Sequence, residues 1–231
     1  MSSNTFSEEG RLMQTEYAIK NVSKAGTTIG LKCTDGILLL GINKTDLSDE
    51  REKIYKINPN VYISVCGLFG DAMLLKKYGQ VKAQDFLEEY NFDCSIDRIS
   101  KYISDKKQLF TQYNQTRPFG VSFIYVGMEK NEYKLYSTDP SGTINEWKGI
   151  SYGENEDSIN NGLRNDLPNE EMDLERSTYE VFKILSKVTE CGSKDFRKYE
   201  ILHFKKEKSR FLEFDEIKNI LERIEKERLN K

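Results

Sequence analysis

The chain has 231 residues, 37% hydrophobic and 32% charged, with 13 Tyr, 12 Phe and a formal net charge of −3. That size and apolar content support an aromatic-rich core in one domain and argue against a disordered chain. Lys and Glu alternate without forming a basic stripe, which argues against nucleic-acid binding, and no apolar run is long enough to span a membrane.

The elements follow in chain order. Residues 1–11 are polar and lack the apolar region of a signal peptide. Ser7 followed by Glu8 and Glu9 reads as a helix start, and Leu12, Thr15, Ala18, Ile19 and Val22 then share a narrow face suited to a surface or an interface. Segments 27–33 and 37–42 read as strands joined at Thr34-Asp35-Gly36, and a charged loop, 43–52, follows. Segments 54–57 and 61–66 read as strands around Asn58-Pro59-Asn60. The period then changes: 71–89 reads as a helix, and Ile96, Ile99, Ile103, Phe110 and Tyr113 mark a second, ended by Arg117-Pro118. Strands return at 119–126, 133–138 and 143–147, the last two joined by Asp139-Pro140-Ser141-Gly142. Helices are expected at 154–167 and 173–188, short strands near 199–204 and 211–214, and a charged helix at 214–228. Strands and helices come in blocks, which points to antiparallel sheets with helices on their faces rather than a doubly wound sheet.

The single histidine, His203, excludes a multi-histidine metal site and sits in an alternating strand, where a structural role is expected. Cys33, Cys66, Cys94 and Cys191 form no CxxC pair and read as reduced, buried thiols of a soluble intracellular protein. No cofactor or metal is expected.

Residues 6–18, F-S-E-E-G-R-L-M-Q-T-E-Y-A, resemble the signature of proteasome alpha-type subunits, F-S-P-E-G-R-L-x-Q-V-E-Y-A. Residues 52–57 (E-K-I-Y-K-I), 112–127 (Q-Y-N-Q-T-R-P-F-G-V-S-F-I-Y-V-G) and Asp139-Pro140-Ser141-Gly142 with Trp147-Lys148 are similar to further family segments, in the family's order. The likeness spans nearly the whole chain. Residues 86–90 and 124–127 look most like the type-4 alpha group. The resemblance implies an α+β fold of the N-terminal-nucleophile kind: a four-layer αββα sandwich, two antiparallel sheets flanked by helices. A single domain over 1–231 is expected, with 1–24 as tail and signature helix and 215–231 as a charged C-terminal helix.

Catalytic beta subunits of that family use a free N-terminal threonine whose own amine helps activate the hydroxyl. Gly26-Thr27-Thr28 resembles such a start, but twenty-five residues precede Gly26 and carry the alpha signature. Aligned on Gly36, Gly26 stands at the nucleophile position and Ile42 at the acid position, and neither can do the chemistry. The resemblance therefore implies a non-catalytic structural and gating subunit of the 20S alpha ring in ubiquitin-dependent degradation. The alternative is a threonine hydrolase of the same fold.

By resemblance, Lys53 is the lysine that pairs with an activator's C-terminal carboxylate, Gly26 and Leu68 wall the same pocket, and Gly10, Arg11 and Glu16 wall the adjacent one. Tyr17 matches a gate tyrosine, and Glu8 replaces the proline that shapes the gate-supporting turn. The upstream Tyr-Asp partners of that tyrosine are absent, and residues 1–5 are short and polar, so a mobile tail that reaches poorly across the pore is expected. Implied partners are other alpha subunits in a seven-membered ring, beta subunits, and activators or a regulatory particle. No nucleic acid or membrane is among them, and the implied location is cytoplasm and nucleus.

Overall fold

The computed structural model describes residues 5–44, 53–113, 116–168, 171–189 and 191–229. In chain order its elements are α1 (Met13–Val22), β1 (Thr28–Lys32), β2 (Ile37–Ile42), β3 (Ile54–Asn58), β4 (Val61–Gly67), α2 (Phe69–Tyr90) and α3 (Ile96–Gln112). Then come β5 (Val121–Glu129), β6 (Glu132–Thr138), β7 (Ile144–Glu146), β8 (Gly149–Tyr152), α4 (Glu156–Asn165) and α5 (Leu174–Val188). A 3-10 helix (Ser193–Lys198), β9 (Tyr199–Phe204), β10 (Arg210–Phe211) and α6 (Phe214–Leu229) complete the chain.

The strands form two five-stranded sheets, ordered β10-β9-β2-β1-β8 and β3-β4-β5-β6-β7, with antiparallel neighbours throughout. Strand alternation sorts the core into three slabs. Leu38, Leu40, Tyr199 and Ile201 point outward onto Phe182 and Leu185 of α5 and Leu221 of α6. On the other sheet, Ile63, Val65 and Phe123 meet Leu75 of α2 and Ile99 and Ile103 of α3. Ile37, Leu39, Leu202 and Phe204 face Ile124, Val126 and Leu135 between the sheets. The result is the four-layer αββα sandwich. Each fully buried Leu, Ile or Phe contributes about 1.5–3 kcal/mol to it. Gly30 lets the sheets approach, since a Cβ there would lie 2.8 Å from Leu135 Cδ1.

Three local readings are corrected. Ser7 does not start a helix. Its carbonyl accepts from Gly10 N (2.8 Å), its Oγ from Arg11 N (3.2 Å), and Gly10 has φ +75, which no helix continues. Helix α1 begins six residues later, behind Leu12 and without a side-chain cap. A strand, β8, stands directly after the 143–147 reading, paired with β1 in the other sheet. The strand expected at 211–214 is Arg210–Phe211, and Phe214 opens α6 instead. Residues 1–4 of the tail, 45–52 of the charged loop and 230–231 of the C-terminal helix lie outside the described residues. No helix among the described residues is long and apolar enough to cross a membrane.

Candidate functional site

The ends of β2 and β4, the start of β3 and the segment after α1 converge at one end of the sandwich. Lys53 is the residue before β3, and its ammonium donates to the Gly26 carbonyl at 2.9 Å. Two glycines give its side chain a slot. A Cβ on Gly41 would lie 2.4 Å from Lys53 Cβ, and a Cβ on Gly26 would lie 2.3 Å from the Ile42 carbonyl oxygen and 3.2 Å from Lys53 Nζ. The Cys66 thiol also donates to the Gly26 carbonyl (3.4 Å), and burial pushes its pKa up to about 12. Lys53 is held at its backbone by Glu200 of β9. The Glu200 carboxylate accepts from Lys53 N (3.1 and 3.2 Å), Ile54 N (3.1 Å) and Asn43 Nδ2 (3.0 Å).

Above this slot lies a pocket of about 290 Å³. Lys24, Lys44 and Lys53 supply its charge, and Ala25, Val65, Leu68 and Phe69 supply its apolar wall. Among the described lining residues there is no carboxylate. Lys44 is ion-paired with Glu154 at 3.7 Å; lysines beside an apolar wall suit a carboxylate that ends an apolar chain. Leu68 is fixed by its N–H to the Gly120 carbonyl (2.9 Å), and Gly120 is fixed by its own N–H to Asp71 (2.9 Å). Asp71 also takes a two-pronged bond from Arg117 at 2.6 and 2.8 Å. Burial alone would raise the Asp71 pKa, but the Arg117 guanidinium and the Gly120 amide hold it below the usual carboxylate value.

The expected site residues thus fall into two groups. Lys53, Gly26 and Leu68 meet in one pocket. Gly10, Arg11, Glu16, Tyr17 and Glu8 do not line it; they are exposed on the Ser7–Gly10 turn and α1. Glu8 occupies the first central position of that turn, where proline is favoured, and the turn closes around it. Four contributors were not singled out from sequence: Glu200, Gly41, Lys24 and Lys44. Glu200 left one signal, a carboxylate inside the otherwise apolar run Tyr199-Glu200-Ile201-Leu202.

No threonine nucleophile fits this arrangement. The Ile42 carbonyl and Lys53 fill the space that any side chain at position 26 would need. Thr27 follows Gly26 in the chain, so it has no free amine, and its Oγ1 donates to the Glu154 carbonyl at 2.8 Å. His203 is buried, with its pKa pushed down to about 4 by burial first and by Arg210 and Lys205 next. Its Nε2 meets Thr178 Oγ1 at 2.8 Å, while that hydroxyl gives its proton to the Leu174 carbonyl at 2.6 Å. The histidine must therefore be the donor, which leaves it no role as a base toward Thr178. Cys66, Cys94 and Cys191 are buried free thiols, and Cys33 is half-buried and free. No cluster of His, Cys, Asp and Glu able to hold a metal ion occurs among the described residues.

The family model for proteasome subunits matches residues 22–202. The chain is 51% identical to the probable proteasome subunit alpha type-3 of Encephalitozoon cuniculi, over 96% of each chain. It is 37% identical to proteasome subunit alpha type-3 of Saccharomyces cerevisiae, over 87% of this chain and 80% of the relative. It is 35% identical to proteasome subunit alpha type-4 of Spinacia oleracea, over 85% and 80% respectively. These names divide between type-3 and type-4, and the alpha type is common to all of them.

Proposed function

This chain belongs to the proteasome subunit family as an alpha-type member, and on that premise we propose that it builds the ring and receives activator tails in the Lys53 pocket. It is a non-catalytic subunit of a protein-degrading assembly of proteasome subunits. In the finer reading the ring is seven-membered and heteromeric, stacks on a beta ring, and binds activators or a regulatory particle in cytoplasm and nucleus. The observation that carries the docking role is the slot itself: the nucleophile position is a glycine whose carbonyl holds a lysine, inside a pocket lined by three lysines. A lysine has three N–H donors, so an arriving carboxylate can bond Lys53 beside the Gly26 carbonyl. Gly10, Arg11 and Glu16, exposed on the turn and α1, wall the neighbouring pocket in the same reading. Tyr17 and the turn containing Glu8 support the gate that this ring places over the pore.

Lys53→Ala is expected to weaken docking of an activator whose C-terminal tail enters this pocket. The loss of one charge-assisted bond corresponds to about 1.5–3 kcal/mol. Ring assembly should be unaffected. Affinity measurement on intact particles is the check, and unchanged affinity would return Lys53 to the plain surface.

A further inference from the structure

The carboxylate of Glu200 is a charge placed between two sheets. In β9, Tyr199 and Ile201 point toward the helix layer, while Leu202 and Phe204 point into the inter-sheet core. Alternation puts Glu200 on the same side as Leu202 and Phe204. Glu200 is only 8% exposed, so its carboxylate lone pairs must be met within the protein. They are met by the amides of Lys53 and Ile54 and by the Asn43 side chain. Its cross-strand neighbour in β2 is Gly41, the glycine whose bare Cα leaves room for the Lys53 side chain. One residue of the first sheet thus fixes where the second sheet begins, at the residue whose ammonium reaches the pocket.

We infer that Glu200 is the positioning residue of the carboxylate pocket: by gripping the Lys53 and Ile54 amides it sets the point from which the Lys53 side chain crosses Gly41 to reach Gly26. Glu200 touches no ligand itself and acts through Lys53. The inference rests on the proposed docking role of Lys53. A glutamine at this place offers one acceptor oxygen and turns amide N–H donors toward the donors of Lys53, Ile54 and Asn43, so the grip on the Lys53 and Ile54 amides is lost. The Lys53 ammonium then leaves its place over the Gly26 carbonyl while its charge and the pocket wall remain.

The test uses particles assembled with variant chains and two synthetic peptides that end in leucine, one with a free C-terminal carboxylate and one amidated. The readout is the ratio of their affinities, which a general loss of stability would not move. The wild-type particle should prefer the free acid. Lys53→Ala should bring the ratio close to one. Glu200→Gln should lower it by about tenfold, and the double variant should fall no further than Lys53→Ala alone. Glu200→Asp keeps the charge but withdraws the carboxylate by one methylene, and should give an intermediate ratio. If Lys53→Ala abolishes the preference and Glu200→Gln retains it, the inference is overturned while the docking role stands. If Lys53→Ala leaves the preference intact, the docking role fails and the positioning role fails with it. Should the glutamine chain not assemble, Glu200→Asp decides: a wild-type ratio there overturns the inference.

Discussion

Lys107 is a fully buried lysine, bonded to no carboxylate among the described residues. Its ammonium donates to the carbonyls of Val121 (2.9 Å) and Thr138 (3.1 Å) and to Thr138 Oγ1 (2.9 Å), and lies 4.8 Å from the centre of the Phe123 ring. Burial pushes its pKa down to about 7, against a weak opposing pull from Asp139. The ordinary value, 10.5, applies to the unfolded chain. Below about 7 both states hold the proton, so the full cost of burying the ammonium applies. Between about 7 and 10.5 the unfolded chain holds the proton and the folded one releases it, so this cost is relieved as pH rises. Lys107→Met lacks that slope. Its unfolding midpoint relative to wild type should therefore fall as pH is raised from about 6 to about 9. Calorimetry at several pH values checks this, and a difference independent of pH would show an ammonium in contact with water. At this scale legibility in the sequence was uneven. That Lys53, Gly26 and Leu68 line one pocket was legible only through the family resemblance, because the three are well separated along the chain. Glu200 was not, because a strand pattern tells which side of a sheet a residue faces but not which loop of the opposite sheet arrives there.

The helices and strands that carry the site are positioned by short polar clamps, and their boundaries follow from these clamps as much as from periodicity. The segment Arg117-Pro118-Phe119-Gly120 is tied to the first turn of α2 by Asp71, which bonds both Arg117 and the Gly120 amide. That tie places the Gly120 carbonyl under Leu68 and so shapes the pocket wall. Asp71→Ala removes the partners of Arg117 and of a partly buried amide, with an expected loss of about 1–3 kcal/mol. Thermal unfolding at neutral pH should show it as a fall of about 2–4 °C per kcal/mol. The folded pKa of Asp71 is lowered, so this contribution is present above the unfolded value of 3.8 and is lost as pH falls through the folded one. The gap between variant and wild type should close in acid, and a gap that persists there would assign the loss to packing. Long periodic elements such as α2, α3 and α5 were readable because one apolar stripe recurs over several turns. The four residues of β8 carry no such pattern; they are a strand because the free edge of β1 pairs with them, from Thr28↔Tyr152 to Leu31↔Gly149. The start of α1 was misread because Ser7 and the acids after it fit a helix cap and a tight turn equally well. The positive φ of Gly10 decides between them.

At the scale of the whole molecule, one end of the sandwich carries a group of exposed apolar side chains. The end that holds the Lys53 pocket also carries α1, whose buried residues are only Thr15 and Val22. Met13, Tyr17 and Ile19 of α1, with Phe6 before it and Leu68 and Phe69 beside the pocket, are exposed by 37% to 72%. Leu74 and Val81 add an exposed apolar pair on α2. Isolated apolar side chains on a surface are ordinary, but this many around one short helix mark a face that other subunits cover. Of the narrow face read from sequence for residues 12–22, Thr15 and Val22 are buried and Leu12 and Ala18 half-buried, but Ile19 is exposed with the other apolar side chains of the outer face. Membership in the proteasome family supplies the partner class: other subunits of the same fold. A paired substitution, Tyr17→Asp with Ile19→Asp, changes two exposed positions and removes no core contact. The thermal midpoint of the purified chain should therefore stay within the small range of surface changes, about 0.5 kcal/mol. Incorporation should suffer, because two carboxylates at the centre of an apolar interface are left unpaired and desolvated. Native mass measurement of particles formed in competition with wild-type chain should show the variant depleted by about tenfold or more. Equal incorporation would place α1 outside the subunit contacts, and the apolar side chains around it would then need a different partner.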